Sequence, residues 1–436
     1  MLHHEAGDRG YRGIPLDALA GELGTPYYVY DGAWVRERIA AVKAITRPPA
    51  VVARFAMKAC SANKVLSTVR EAGLWIDAVS ANEVRRALAA GFPSGNAPPA
   101  VLLSADVFRD GALELARQAS VLPNLGSPGM IDELARAGYR GPVGLRINPG
   151  FGHGHVRACD TGGPSSKHGI WADDEPAVRR EAAARGLEIV LLHAHVGTGS
   201  GAAEFLANMD RLREFYLERV QHYPRLEAVN FGGGIPHPYR PETQPIDLRS
   251  LGELLARARE EISARAGRPL RLETEPGRYL VAGAAALVTR VSDVKRTTTN
   301  EKGAGQTFVM VDAGFTDLVR PAMYGSYHRI TAFARSIEED GAMEAVVAGP
   351  LCESGDVFTR DAQEFIEPRR IPRVKPGDLL VIHDAGAYGA VMSSNYNSLG
   401  RAPQVWWESG KAHLMSRRET IEDITRTECW EEIRGI

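Results

Sequence analysis

Eight short apolar runs, separated by longer stretches with helical spacing, constrain this chain more than any other feature. They are VVARFAM from Val51, LWIDAV from Leu74, AVLLS from Ala100 and VLPNL from Val121. PVGLRI from Pro142, EIVLLHAHV from Glu188, LEAVNF from Leu226 and LRLETE from Leu270 complete the set. Between them lie stretches such as ANEVRRALAAGF, AEFLANMDRLREFYLERV and LGELLARAREEISARAG. Strand–helix alternation implies parallel strands joined by crossover helices. Eight such units in about 250 residues is the count of a (β/α)8 barrel. An open, doubly wound sheet is the structural alternative.

After Arg278 the texture changes. LVTRVSDV, TFVMVDA, EAVVAGP and DLLVIHDAG follow one another with turn residues between them, and helical spacing is absent until the tail near Thr420. This pattern predicts an all-β domain. PYYVYD, from Pro26, is also strand-like and precedes the first barrel helix, so it is expected to pair with the later β domain. The expected division is therefore a barrel over 34–283 and a discontinuous β domain built from 1–33 and 284–436.

Composition narrows the class. The 436 residues carry 52 Lys and Arg against 54 Asp and Glu, a formal net charge of −2. A nucleic-acid or anionic-membrane surface would need a clustered positive excess. The longest apolar run, Tyr279 to Val288, is far short of the ~20 residues a membrane span needs. MLHHEAGDRG lacks a basic segment followed by an apolar core, so no secretory signal is expected. Four cysteines (Cys60, Cys159, Cys352 and Cys429) are too few for a disulfide scaffold, and the expected compartment is a reducing cytoplasm.

In such a barrel the chemistry gathers at the C-terminal ends of the strands. The first strand ends in Met57-Lys58-Ala59-Cys60, the second in Asp77-Ala78-Val79-Ser80, and the fifth in Arg146-Ile147-Asn148. The sixth ends in His193-Ala194-His195-Val196-Gly197-Thr198. The seventh runs into Phe231-Gly232-Gly233-Gly234, and the eighth into Glu275-Pro276-Gly277-Arg278. Glycine turns after strands seven and eight are where a barrel most often holds a phosphate, because bare backbone N–H groups can approach it. A tight turn is the plainer account of the triplet taken alone.

Lys58 is informative because only eight lysines stand against 44 arginines. Lysine is costly to bury, and desolvation favours the neutral, nucleophilic amine. A lysine at the end of an apolar strand, beside a phosphate turn, points to a Schiff-base lysine and to pyridoxal 5′-phosphate. The cofactor's ring nitrogen wants a carboxylate, and Glu275 stands at the right strand end. An ion pair with Arg278 is the alternative for Glu275. His195 is placed to stack on the ring, and His193 shares its strand face. The His-x-His pair, and a second one in GFGHGH from Gly150, lack the further ligands of a metal site, and no metal is expected.

FAMKACS, DAVSANE, LRINPGFGHGH, TGGPSSKHGI, HAHVGTGS, NFGGGIPHPY, ETEPGRYLVA, VDAGFTDLVRPAMYGSYH, VAGPLCESGDVF and GAYGAVMSSNYNS together resemble the diaminopimelate decarboxylases. The likeness is closest to the enterobacterial type and covers nearly the whole chain from about Pro26. It implies an alanine racemase-like fold, a (β/α)8 barrel with a second β-sandwich domain, and a homodimer with shared active sites. It also implies loss of the carboxylate from the D-configured centre of meso-2,6-diaminopimelate, giving L-lysine and CO2.

By this resemblance Lys58 holds pyridoxal phosphate covalently, His195 stacks on it and Glu275 faces its ring nitrogen. Gly232, Gly233 and Gly234, with Pro276, Gly277 and Arg278, match the phosphate cradle. Thr198 stands where relatives commonly have serine and keeps the hydroxyl. Tyr388 matches a tyrosine reaching cofactor and substrate. Arg278, Arg320, Tyr324 and Glu353 match substrate contacts. Cys352 matches a proton donor that enters from the other subunit, with Lys58 as the alternative donor. Asp77, Glu83 and Arg146 match a supporting shell, and the loop from Phe151 to Gly169 is a candidate lid. Competing expectations are a relative acting on another amino acid, a racemase, and a catalytically silent regulatory homologue.

Overall fold

In the computed structural model, residues 11–118, 121–152, 154, 161–198, 201–333, 342–361, 363 and 365–431 are described. The chain divides into two compact units, Ala33–Ala282 and the combination of Met1–Gly32 with Gly283–Ile436.

The first unit is a closed parallel barrel. Its strands are Val51–Ala56, Trp75–Ala78, Val101–Ala105, Leu122–Leu125, Pro142–Asn148, Glu188–His193, Ala228–Asn230 and Arg271–Thr274. Each pairs in parallel with the next, and the eighth pairs in parallel with the first. All eight expected strands are present, and closure excludes the open sheet. The first strand is buried along its whole length. A parallel strand covered by its neighbours and an outer layer of helices reads as a continuous apolar run for this reason. The two longest helices, Ala202–Arg219 and Leu248–Ala266, follow the sixth and seventh strands. The second of them is capped by Asp247, whose carboxylate accepts the Arg249 and Ser250 N–H groups. It ends at Gly267 in the left-handed conformation, where a Cβ would be strained.

Register explains how the barrel interior is furnished. Ser104 is opposite Asn124, Asn124 opposite Gly144, and Arg146 opposite His193. His193 is opposite Asn230, and Asn230 opposite Glu273. Strand side chains alternate, so these residues form stacked rings. The deeper ring includes Arg54 and Glu273, both fully buried. Arg54 Nε donates to Glu273 Oε2 at 2.7 Å and Nη2 to Oε1 at 3.0 Å. Its guanidinium also lies 4.6 Å from the centre of the Trp75 ring. A buried pair of this kind needs near-complete hydrogen bonding to offset its desolvation. Arg54 further donates to the carbonyls of Ala100 and Pro99, and Arg271 Nε to Glu273 Oε1.

The second unit is a nine-stranded mixed sheet domain, mostly antiparallel, of the β-sandwich type that accompanies an alanine racemase-like barrel. Its long strand Ala285–Arg296 pairs antiparallel with Tyr27–Asp31, Thr307–Val311 and Leu379–Ile382. Tyr27–Asp31 also pairs in parallel with Gln404–Glu408. The PYYVYD segment is thus a central strand of the later β domain, as the pattern predicts. Tyr27, Val29, Ala286, Val288, Leu379, Val381 and Val405 share one core cluster, into which the helix Leu16–Leu23 packs Leu16, Leu19 and Ala20. Among the described residues, no helix is long and apolar enough to cross a membrane.

Candidate active site

The mouth of the barrel concentrates charge. Lys58 stands half-buried in a single 3-10 turn, Met57–Ala59, directly after the first strand. Its positive charge acts on Asp77, Glu83, His195 and Glu275, from three other strand ends. Burial alone would raise the Glu275 carboxyl. The neighbouring His193 and the charge of Lys58 outweigh it, and the group lies well below the ordinary carboxylate range. Asp77 goes the other way. Burial, and then repulsion by Glu275, push it up to about 8 against the pull of Lys58 and a hydrogen bond from Ser104. Neighbouring buried carboxylates driven apart in this way mark a site built for proton chemistry.

Glu275 is fixed by its neighbours. Asn230 Nδ2 donates to Oε1 at 2.8 Å, and His193 Nε2 lies 3.4 Å from Oε2. Its partners are therefore Asn230 and His193, and the alternative ion pair with Arg278 is not formed. Arg278 instead donates from Nε to Thr198 Oγ1 at 3.3 Å and from Nη1 to the Tyr239 hydroxyl at 3.0 Å. His195 is buried, with its ring held neutral by burial and by the charges of Lys58 and Arg146. Its Nδ1 has no hydrogen-bond partner among the described residues, and neither has Asp77 Oδ1.

The glycine turn has a steric reason as well as a chemical one. A Cβ on Gly232 would stand 2.8 Å from His195 Nδ1, and one on Gly233 would stand 2.3 Å from the Glu275 carbonyl oxygen. Gly234, at φ +104, would meet the Gly197 carbonyl oxygen at 2.5 Å. Only glycine lets the seventh strand's end pass between its neighbours. Gly232 N–H is taken by Asn230 Oδ1 at 2.8 Å. Pro276 and Gly277 sit against the first strand: the Pro276 carbonyl accepts the Ala56 N–H, and a Gly277 Cβ would crowd Ala56.

Supporting residues act through hydrogen bonds. Ser80 and Glu83 form a reciprocal cap on the helix Ala81–Ala89. Ser80 Oγ accepts the Glu83 N–H at 3.2 Å, and Glu83 Oε2 accepts the Val79 N–H at 2.8 Å. The cap turns the Glu83 carboxylate back toward Lys58. Arg146 is buried and lowers both His195 and Asp106. Asp106 Oδ2 contacts His168 Nδ1 at 2.7 Å, and Asn148 Oδ1 accepts the Gly150 and Gly163 N–H groups. The described ends of the candidate lid are thus tied to the barrel mouth. His153, His155 and Cys159, which lie in that loop, fall outside the described residues.

The β unit carries the remaining candidates. Arg320 opens the short helix Arg320–Tyr324 and is buried. Its Nη1 donates to His328 Nε2 at 2.8 Å, while His328 Nδ1 donates to the His383 carbonyl at 2.8 Å. His328 is pushed down to about 3 by burial and by Arg320, so its Nε2 accepts from the guanidinium. Tyr324 is half-buried at the helix end. Cys352 and Glu353 are exposed on a loop held by Asp356. The Asp356 carboxylate accepts the Leu351 N–H at 2.9 Å and the Phe315 N–H at 2.7 Å. Tyr388 holds φ +57, a left-handed conformation that costs a non-glycine residue and that clusters at functional sites.

Asn230, His193, Asn124, Asp106, His168, His328 and Asp356 escaped the motif-based expectations as site residues. For the barrel members a signal existed: each is a polar residue at an alternate position of a short apolar strand, or just past its end.

Comparison with known proteins decides the family. Residues 33–282 match the family model described as pyridoxal-dependent decarboxylase, pyridoxal binding domain. A diaminopimelate decarboxylase of Escherichia coli is 43% identical over 414 residues, covering 94% of this chain and 95% of its own. The chain belongs to the diaminopimelate decarboxylase family. A crystal structure of diaminopimelate decarboxylase matches with a TM-score of 0.89 at 42% identity, over 97% of this chain and 99% of that one. The Helicobacter pylori diaminopimelate decarboxylase complexed with L-lysine matches with a TM-score of 0.81 at 27% identity, over 94% and 98%. Pyridoxal phosphate is the cofactor of this family, and the barrel mouth fits it. A strand-end lysine, an ionised carboxylate, an unpartnered buried imidazole nitrogen and a glycine turn are the donor set it needs.

Proposed function

We propose that this chain decarboxylates meso-2,6-diaminopimelate at its D-configured centre, giving L-lysine and CO2, as a pyridoxal phosphate-dependent carboxy-lyase. The observation that carries this is the placing of Lys58 and Glu275 just past the ends of the first and eighth strands, which pair side by side in the closed barrel. The bound cofactor supplies an electron sink for the pair left behind when the carboxylate departs. Lys58, at the end of the first strand, would hold the cofactor covalently. Glu275 would keep a proton on the ring nitrogen, and His195 would flank the ring. The Gly232–Gly234 turn, Thr198, Pro276, Gly277 and Arg278 take the phosphate, with Asp77, Glu83 and Arg146 holding the shell around them.

Specificity lies at the far end of the substrate, which carries a second amino-acid head. Arg320, with its fork aimed by His328, takes the distal carboxylate; Arg278 adds a second cation. A charge-assisted bond of this kind contributes about 1.5–3 kcal/mol. Glu353 takes the distal ammonium, and Tyr324 and Tyr388 close around the substrate. Cys352 returns a proton to the substrate carbon, with Lys58 the alternative donor. The working form is a cytoplasmic homodimer in which Cys352 of the partner subunit completes each site.

The test supplies meso-diaminopimelate, ornithine, arginine and lysine separately to the pyridoxal phosphate-loaded enzyme while CO2 is followed. Release from meso-diaminopimelate alone is expected. Arg320→Lys should raise its KM by about 10- to 100-fold, the loss of one bidentate bond. CO2 from ornithine instead would overturn the role given to Arg320.

A further inference from the structure

His193 is buried at the end of the sixth strand, two residues before His195, and the chemistry above leaves it without a task. Its two ring nitrogens both face polar groups. Nδ1 lies 2.8 Å from Asn124 Nδ2, and Nε2 lies 3.4 Å from Glu275 Oε2. Asn124 Nδ2 also donates to Ser104 Oγ at 3.0 Å. An amide nitrogen has no lone pair to give, so Nδ1 accepts and the ring proton sits on Nε2, facing the carboxylate. On the other side, Asn230 Oδ1 is occupied by the Gly232 N–H, which fixes its amide and turns Nδ2 toward Glu275 Oε1.

Glu275 therefore accepts from Asn230 Nδ2 and lies in ion-pair range of His193 Nε2, which makes no hydrogen bond among the described residues. A protonated Glu275 would have to place its own hydrogen against one of those donors. Ser104, Asn124, His193, Glu275 and Asn230 form one buried hydrogen-bonded or close-contact chain through strands three, four, six, seven and eight. His193 is thus oriented through Nδ1, and its buried Nε2 has Glu275 Oε2, at 3.4 Å, as its polar neighbour.

We infer that His193 is a positioning residue for the cofactor: its Nε2–H holds Glu275 as an anion, aimed so that the ring nitrogen keeps its proton. This rests on Glu275 being the ring-nitrogen partner. The titratable groups that act on Glu275 are Asp77 from strand two, Lys58 after strand one, His193 and His195 on strand six, and Tyr216 on the helix Ala202–Arg219. Glu273 reaches it through Asn230. All of these except His193 stay in place in the variant below.

The experiment loads apoprotein with pyridoxal phosphate carrying an isotopically labelled ring nitrogen and reads that nitrogen's NMR resonance across the neutral pH range. His193→Leu should move the resonance toward the unprotonated position. It should also lower kcat by about 10- to 100-fold, the worth of one hydrogen bond to a charged group. KM for meso-diaminopimelate should change little. His193→Gln, whose amide N–H reaches the same place, should restore the resonance. Glu275→Gln is the control. If it leaves the resonance unmoved, Glu275 is not the ring partner and the inference falls with that assignment. If Glu275→Gln moves the resonance and His193→Leu does not, the role of His193 alone is overturned. Should His193→Leu not fold, Asn124→Ala removes the donor at Nδ1. It should shift the resonance the same way by less, and an unmoved resonance would overturn the inference equally.

Discussion

The barrel mouth and the β unit place their candidate site residues by opposite means. At the barrel mouth Asp77, His195 and Glu275 are buried at strand ends, and their state is set by hydrogen bonds and charges from neighbouring strands. In the β unit Cys352 and Glu353 are exposed on a loop, and Tyr388 sits in a left-handed turn. Arg320 is the exception there: it is buried and fixed through His328. The difference follows from the tasks. Holding a cofactor ring and its proton, as proposed for the barrel mouth, needs rigid, dry groups. Exposed loop groups are adaptable, and they suit proton delivery and contact with a polar substrate end.

The largest expected effect separates the two units directly. Lys58→Ala and Cys352→Ala should each lower kcat by about 1,000-fold or more, since in the proposed mechanism both groups touch reacting atoms. Mixed and allowed to exchange subunits, the two inactive proteins should recover up to about a quarter of normal CO2 release, because half the dimers carry one intact site. No recovery, with exchange verified by tagged subunits, would mean that each chain completes its own site. The barrel and the β unit would then serve one another within a chain.

Much of the barrel was legible because its strands are short, apolar and evenly spaced. The strand-end residues were legible because Lys58, the Gly232–Gly234 turn and Glu275 fall at the same end of successive strands. The ring beneath them was not. Arg54, Ser104, Asn124, Asn230 and Glu273 each appear as one polar residue inside an apolar run, which looks like noise in a single strand. Only closure brings them together, as the Ser104–Asn124 and Asn230–Glu273 register pairs show. The alternative of an ion pair between Glu275 and Arg278 arose from sequence proximity. A carboxylate on a strand is instead served by the strands beside it, here through Asn230 and His193. His328 and Asp356 were equally hidden, because each acts from several residues away on a group that a motif had already marked.

A smaller effect sharpens the buried side of the contrast. In the apoprotein Asp77 is pushed up to about 8 by burial and by Glu275, against Lys58 and Ser104. An unfolded aspartate titrates near ~3.9. Between those values the folded state binds more protons than the unfolded one, so stability falls as pH rises. The stabilising contribution is complete below about pH 4 and lost as pH passes about 8. Asp77→Asn removes this titration. Its melting temperature should decline less than that of the parent across this window, by the equivalent of a few kcal/mol at most. Parallel profiles for parent and Asp77→Asn would mean that Asp77 is ionised in the folded apoprotein.

The smallest effect compares two N-caps in which a Ser or Thr hydroxyl accepts the N–H of the third residue on. Ser80 and Glu83 cap the helix Ala81–Ala89 at the barrel mouth; Thr420 and Asp423 cap the exposed five-residue helix Ile421–Thr425. Replacing a capping Ser or Thr by Ala costs about 1 kcal/mol in a helix that matters to the fold. Ser80→Ala should cost that much in urea unfolding, because its helix is packed through Ala81, Val84 and Ala87. It should also lower kcat a few-fold, since the same cap directs the Glu83 carboxylate toward Lys58. Thr420→Ala removes equivalent hydrogen bonds from a helix with no buried residue, which can fray without disturbing a core. Its cost should stay within about 0.5 kcal/mol and its kcat should not change. Equal costs at the two caps would show that the terminal helix is as firmly integrated as the barrel's own.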